Sequence, residues 1–201
     1  MIRAVILAAG LSSRMGRSKA LLDAGNGETF LGRIVRALNA AGITDVSVVV
    51  GHDRDVMSEA IRRDRLPVGI VVNDRYMDGQ QSSVLAALDA IDRPGVTAMM
   101  LTLVDVPLVS SATVRAVVDR YQETRAPIVR PVRGHDHGHP IVIDRSLFEA
   151  LRHSDPATGI KPIVRAHVSP AGDVETSDEG AFVDVDTPER YAQLFGRRLE
   201  R

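Results

Sequence analysis

Apolar residues recur along this chain in two rhythms. In some stretches they are continuous or nearly so: the run ending at Val5-Ile6-Leu7, then residues 46–50, 68–72 and 98–104. Such short runs predict strands, and 46–50 reads as one buried on both faces. Elsewhere they recur every three or four positions. Phe30, Leu31, Ile34, Val35 and Leu38 share one face of a helix expected over 28–41, which Gly42 would stop. Residues 53–65 predict a polar helix, 80–91 a second and 110–124 a third, the last with Val114, Val117, Val118 and Tyr121 inward. Strand alternating with helix predicts an α/β fold, its sheet parallel or mostly parallel and covered on both faces.

The rest of the chain is less regular. Short strands are expected at 128–130 and 140–143 around a Gly/His loop, and a short helix at 144–151. The pattern over 161–168 suits helix or strand equally. Residues 182–185 predict a last strand. Thr187-Pro188-Glu189 then starts a terminal helix, with Thr as cap and Pro at the first position, and Tyr191, Phe195 and Leu199 along one face. With no repeat, low-complexity tract or linker, residues 1–201 read as a single domain.

In open α/β sheets, ligands gather beyond the carboxyl ends of the strands. That singles out residues 8–19, 73–83, 105–107 and 184–187. The first is Ala8-Ala9-Gly10-Leu11-Ser12-Ser13-Arg14-Met15-Gly16-Arg17-Ser18-Lys19. Its small side chains let backbone N–H groups approach an anion, and Arg14 and Lys19 add charged donors for phosphate. Neither the P-loop spacing G-x4-G-K-[ST] nor the dinucleotide fingerprint G-x-G-x-x-G is present. The missing fingerprint argues against a dehydrogenase.

Asp105 closes the buried run 101–104, where a charge needs a partner. Mg²⁺ is one such partner, held by one or two carboxylates plus substrate phosphates; capping of the next helix is the other, although Ser110 or Ser111 is better placed for that. Asp184 and Asp186 alternate onto one side and could complete a metal site with Asp105, or could simply favour the start of the terminal helix. In Asn73-Asp74-Arg75-Tyr76-Met77-Asp78-Gly79-Gln80-Gln81-Ser82-Ser83, Gly79 can turn the chain, and the serines fall in the first turn of a helix. They would meet a ligand or merely cap the helix. His135, His137 and His139 alternate along an extended loop and could hold Zn²⁺. The flanking glycines and the lack of orienting partners argue against it.

Composition narrows the partners. The chain has 201 residues, 44% hydrophobic and 25% charged, with a formal net charge of −1, so it offers no basic field for nucleic acid. Cysteine is absent, which excludes disulfides, thiolate metal sites and a cysteine nucleophile. No run approaches a membrane span, and the chain opens on a strand-like run rather than a signal peptide, which together suggest a cytoplasmic protein.

Leu7-Ala8-Ala9-Gly10-Leu11-Ser12-Ser13-Arg14-Met15-Gly16-Arg17-Ser18-Lys19 resembles the signature L-A-A-G-x-S-x-R-M-G-x-x-K of the MobA-like NTP transferases, and among them the molybdenum cofactor cytidylyltransferases. Leu103-Val104-Asp105-Val106-Pro107 is similar to the family's L-x-D-x-P. Residues 184–189 are similar to D-V-D-T-P-E, and Gly138-His139-Pro140 to G-H-P. Position 190 carries Arg where the family often has an acid, and residues 155–161 match the expected G-D-x-G-x-R poorly, with Gly159 and Lys161 standing for its last Gly and Arg.

The resemblance implies a three-layer, Rossmann-like fold of GT-A type with a mostly parallel mixed sheet. Residues 1–125 would form the nucleotide-binding half and 126–201 the acceptor half. CMP would pass from CTP to the terminal phosphate of a molybdopterin-type acceptor, releasing pyrophosphate. Arg14, Lys19 and Asp105 would be catalytic. Leu7, Ala8, Ala9, Gly10, Arg14, Lys19, Asn73, Gly79, Ser82 and Ser83 would bind the nucleotide, and Asp105 and Asp186 the Mg²⁺. His139 and Lys161 would meet the acceptor, with a molybdenum hydroxylase or its maturation factor as protein partner. Ala9, where GTP-using members carry Gly, favours the smaller pyrimidine. Transfer to a sugar or polyol phosphate, use of GTP, and a non-catalytic nucleotide-binding factor are the alternatives.

Overall fold

The structure, a computed structural model, describes residues 1–197. The expected inward position of Leu199 lies outside the described residues. The elements run β1 (Ile2–Leu7), α1 (Phe30–Ala40), β2 (Val46–Val50), α2 (Arg54–Arg63), β3 (Gly69–Val72), α3 (Gln80–Ile91), β4 (Ala98–Leu103), α4 (Ser111–Thr124), β5 (Ile128–Arg133), β6 (Asp136–His137), β7 (Ile141–Asp144), α5 (Phe148–Arg152), α6 (Lys161–His167), β8 (Asp173–Glu175) and α7 (Pro188–Phe195). They build one eight-stranded sheet in the order β3-β2-β1-β4-β7-β5-β6, with β8 beside β5. The first four strands of that order are mutually parallel; β7 enters antiparallel between β4 and β5. The expected α/β architecture with a mostly parallel mixed sheet is thus the one observed.

Side-chain alternation builds the two faces. Ala4 and Ile6 pack with Leu31, Ile34 and Leu38 of α1, Met57 and Ile61 of α2, and Val114, Val117 and Tyr121 of α4. Val5 and Leu7 turn the other way, toward Val84, Leu88 and Ile91 of α3 and Phe148 and Leu151 of α5. Each fully buried Val, Leu, Ile, Met or Phe among these contributes about 1.5–3 kcal/mol of transfer free energy. Edge strand β3 is the exception, leaving Ile70 38% and Val72 47% exposed. No helix among the described residues is long and apolar enough to cross a membrane.

Local signals held where a side chain supplies the cap. Thr29, Ser110 and Thr187 each accept a backbone N–H in the first turn of α1, α4 and α7. Two expectations need correction, and elsewhere the structure decides what the pattern left open. Residues 182–185 form no strand: Glu179–Phe182 is a 3-10 turn, and Val183 to Asp186 then cross the end of β4, with Val185 N donating to Asp105 O at 2.7 Å. Gly180 directs that path, since a Cβ there would fall 2.1 Å from the Leu108 carbonyl oxygen. The helix expected at 144–151 starts late, because β7 runs through Asp144 and a 3-10 turn, Arg145–Leu147, precedes α5. Residues 161–167 resolve as helix, entered through Pro162. Strands β6 and β8 were not foreseen; they are only two and three residues long, too short for a periodic signal.

Asp178 fastens the crossing segment. Its carboxylate accepts from Ser110 N (2.8 Å), Thr113 Oγ1 (2.6 Å) and Gly180 N (3.0 Å). Burial raises its pKa, but these hydrogen bonds outweigh that and hold it below the ordinary carboxylate value. A depressed folded-state pKa gives stability that is present above the unfolded value near pH 4 and lost as pH falls through the lower one. Asp178→Asn is expected to cost about 1–2 kcal/mol at pH 7. In urea titrations the gap to the parent should narrow below about pH 4; a gap constant from pH 7 to pH 3 would count against the charged cap.

Candidate active site

The loop after β1 is held at both ends. Ala8 N donates to Val49 O at 2.9 Å, tying its start to β2. Met15 is buried with Leu22, Phe30, Val185 and Tyr191, and Phe195 packs against the same cluster. That small core joins the loop to α1, α7 and the segment crossing β4, so the middle residue of Arg14-Met15-Gly16 is an anchor. Gly16 adopts φ 68° and Ser12 φ 49°, and Ser12 Oγ accepts from Lys19 N at 3.2 Å. The loop therefore folds back and delivers Lys19 beneath its own start.

Lys19 Nζ donates to Asp105 Oδ2 at 3.0 Å and to Asp186 Oδ1, while Arg14 Nη2 donates to the other oxygen of Asp186 at 3.0 Å. The Lys19 side chain is only 12% exposed. Burial pushes its pKa down, but the hydrogen bonds and charges of Asp186 and Asp105 outweigh this and raise it, so Lys19 is a firm cation. The Lys19 ammonium holds the Asp186 carboxyl below its usual range. Asp184 goes the other way, raised by burial and by the Asp105 and Asp186 carboxylates. Three acids thus converge on one buried ammonium and one exposed guanidinium.

Asp105 Oδ1 is buried and has no hydrogen-bond partner. A buried carboxylate oxygen left unpaired is costly, and a hard cation is its natural complement. Among the described residues no group of three or more His, Cys, Asp or Glu is arranged to hold a metal alone. Asp105 and Asp186 together offer two carboxylates, the number with which a hard cation is held where substrate phosphates supply the remaining ligands.

A cleft of about 310 Å³ opens above these groups, lined by Leu7, Ala8, Ala9 and Gly10 on the loop, by Lys19 and Asp105 at its charged end, and by Tyr76, Gly79 and Ser83 across from the loop. Of the residues expected at a nucleotide, Arg14, Asn73 and Ser82 do not line it; Arg14 lies out on Asp186, and the other two are turned into the protein. Asn73 Nδ2 donates to Ser82 Oγ (2.8 Å) and Ser83 Oγ (3.0 Å), and Ser82 Oγ donates to the carbonyls of Arg75 and Gly79. Their polar atoms are spent on fixing the 73–83 segment. Gln81 likewise faces away, its amide donating to Ser154.

A second cavity of about 500 Å³ adjoins the first, sharing Gln80 and Leu103. His139 and Lys161 both line it. So do Asp184 and His137, weighed from the sequence only as metal ligands, and Arg130 and Arg165, which the sequence did not single out. Arg165 stands four residues after Lys161 on α6, a pairing visible only once that segment is known to be helical. His139 is kept neutral by burial, with Nδ1 3.4 Å from the Leu101 carbonyl oxygen.

The model of the MobA-like NTP transferase domain matches residues 4–171. The chain is 32% identical over 156 residues to the Bifunctional protein GlmU of Sinorhizobium fredii, covering 76% of this chain but 34% of that protein, so it spans about a third of that relative. It is 29% identical over 205 residues, 96% of both chains, to the Nicotine blue oxidoreductase of Paenarthrobacter nicotinovorans. Among solved structures, Rv0371c of Mycobacterium tuberculosis H37Rv superposes with a TM-score of 0.80 at 28% identity, covering 98% of this chain and 97% of that one. A further structure of Rv0371c is a complex with manganese.

Proposed function

The chain belongs to the MobA-like NTP transferase family, and from that premise we propose that it transfers CMP from CTP to the terminal phosphate of a molybdopterin-type acceptor, releasing pyrophosphate. One observation carries the reading. At the charged end of the first cavity, which adjoins the second along Gln80 and Leu103, Lys19 Nζ bridges Asp105 and Asp186 while Asp105 Oδ1 stays buried and unpartnered. Two cavities suit two substrates, and the reacting atoms would meet where the charged groups converge.

The roles follow from position. The backbone of residues 8–10 cradles the nucleotide, and Gly79 and Ser83 bound it on the far side. Asn73 and Ser82 act from behind by holding that wall. Lys19 and Arg14 neutralise triphosphate and leaving pyrophosphate, and they act before and during transfer without reorganising, since the loop is anchored through Met15. Asp105 and Asp186 would hold Mg²⁺, which when bound offsets the negative charge building up at the transferred phosphorus. A phosphate acceptor is already anionic at neutral pH and needs no strong protein base, consistent with a neutral, buried His139 that offers shape and a hydrogen bond rather than a charge. Lys161 supplies the cation for the acceptor's anionic end.

A second reading is favoured by the full-length likeness to a protein named an oxidoreductase: the cleft would bind a nucleotide cofactor for hydride transfer. The Lys19-Asp105-Asp186 cluster has no evident task in that chemistry, which is why transfer is preferred. One experiment separates them. Purified protein is given CTP, GTP, ATP or UTP with Mg²⁺ and molybdenum cofactor, and pyrophosphate is measured; in parallel, oxidation of NADH and NADPH is followed with an electron acceptor. Pyrophosphate from CTP alone is the expected result. Pyrophosphate from GTP would overturn the pyrimidine assignment and keep the mechanism. Reduced-cofactor oxidation with no pyrophosphate would overturn transfer.

A further inference from the structure

The first cleft crosses the carboxyl end of β1. Asp105, after β4, lies to one side of that strand; Gly51 and Tyr76, after β2 and β3, lie to the other. A nucleotide whose triphosphate meets Lys19 and Asp105 therefore places its base toward Ala9 and Tyr76.

Gly51 sits where those two walls touch. Its φ is not positive, so glycine is not needed there for a turn. It is needed for space. A Cβ on Gly51 would lie 2.7 Å from Tyr76 Cβ, 2.8 Å from the Ala9 carbonyl oxygen and 2.9 Å from Ala9 Cβ. All three are closer than packed atoms tolerate, and none belongs to the far end of a flexible side chain. The same Ala9 oxygen accepts from His52 N at 3.4 Å, and the His52 ring lies 5.9 Å from the Tyr76 ring. The loop wall cannot yield, because Ala8 and Ala9 are bonded to the end of β2. A side chain at position 51 would therefore have to displace Tyr76 on the opposite wall, the 3-10 turn Tyr76–Asp78.

We propose that Gly51 is a specificity-setting residue: by letting Tyr76 close onto Ala9, it fixes the width of the base slot and makes the cleft prefer a pyrimidine to a purine nucleotide. This rests on the reading of the cleft as an NTP site. It adds a residue outside the loop signature, acting by the side chain it lacks.

The test is equilibrium binding of CTP and GTP with Mg²⁺ by calorimetry, alongside KM and kcat where turnover is seen, on the parent, Gly51→Ala and Tyr76→Ala. The second variant opens the slot without adding an atom, and so serves if the first fails to fold. The parent should bind CTP more tightly than GTP. Each variant should lower the CTP-to-GTP affinity ratio by about tenfold, the change appearing in Kd and KM for the two nucleotides unequally. A merely structural role would weaken both nucleotides alike, and that outcome overturns the proposal. So does an unchanged ratio in folded variants, or a parent that prefers GTP. Binding with the expected ratio changes but no pyrophosphate release would support the slot and overturn the transfer reading; no binding of either nucleotide would overturn both.

Discussion

Asp105→Asn is expected to lower pyrophosphate release by about 10²–10³-fold while leaving the protein at least as resistant to heat as the parent. The two halves of that expectation come from the same geometry. Asp105 is one of three acids around a single buried ammonium, and its Oδ1 has no partner. An amide there keeps the shape, removes one like charge from beside Asp184, and leaves Lys19 its contact with Asp186. Stability therefore gains a little or holds. Function loses, because the neutral amide is a poor ligand for a hard cation and no longer offsets one beside the transferred phosphate. Activity against Mg²⁺ concentration and a melting curve on the same sample make the check. A clear fall in melting temperature with activity retained would mean that Asp105 is a structural partner of Lys19 and no more.

How far this site could be read beforehand depended on chain distance. Residues 8–19 are one stretch, and their small, basic composition points to an anion whatever surrounds them. Asp105 announces itself by following a buried apolar run. Residues whose role depends on contacts made in three dimensions gave no such notice. Gly51 looks like any loop glycine, and only the approach of Tyr76 and Ala9 gives it meaning. Asn73 and Ser82, read as ligand groups because of where they follow a strand, turn out to bond each other. Arg165 was hidden because the helix that pairs it with Lys161 could not be told from a strand.

The fold divided the same way. Long periodic helices and runs of four or more apolar residues were legible through β4 and α4. Short elements were not: β6 and β8 are set by pairing with β5, not by their own residues. The run at 182–185 has strand-like residues, but Gly180 packed on Leu108 and the Asp178 cap steer it across β4 instead. Tertiary contacts overrode local preference where the segment was short and had little hydrophobic pattern of its own.

Lys19→Met should have the larger combined effect. Methionine keeps the length of the buried stem but leaves Asp105, Asp184 and Asp186 facing one another with only Arg14, which is largely exposed, to answer them. Removing one member of a buried pair costs about 3–5 kcal/mol; partial solvation of Asp186 places this case near 3. For a chain of 201 residues that is a fall of roughly 6–12 °C in melting temperature. Activity should fall by about 10²–10³-fold as well, since on the proposed reading Lys19 is the largely buried cation that meets the triphosphate. The informative part is the response to Mg²⁺. On the proposed reading, Lys19 in the parent would compete with a divalent ion for the carboxylates of Asp105 and Asp186. In the variant only the exposed Arg14 remains on Asp186, so millimolar Mg²⁺ should raise its melting temperature by more than it raises the parent's, as binding to the folded state alone requires. Recovered stability without recovered activity would separate the two tasks of Lys19, holding the carboxylates together and neutralising the triphosphate. A melting temperature in the variant that ignores Mg²⁺ would show that these carboxylates form no cation site, and the assignment of Asp105 and Asp186 as metal ligands would have to be abandoned.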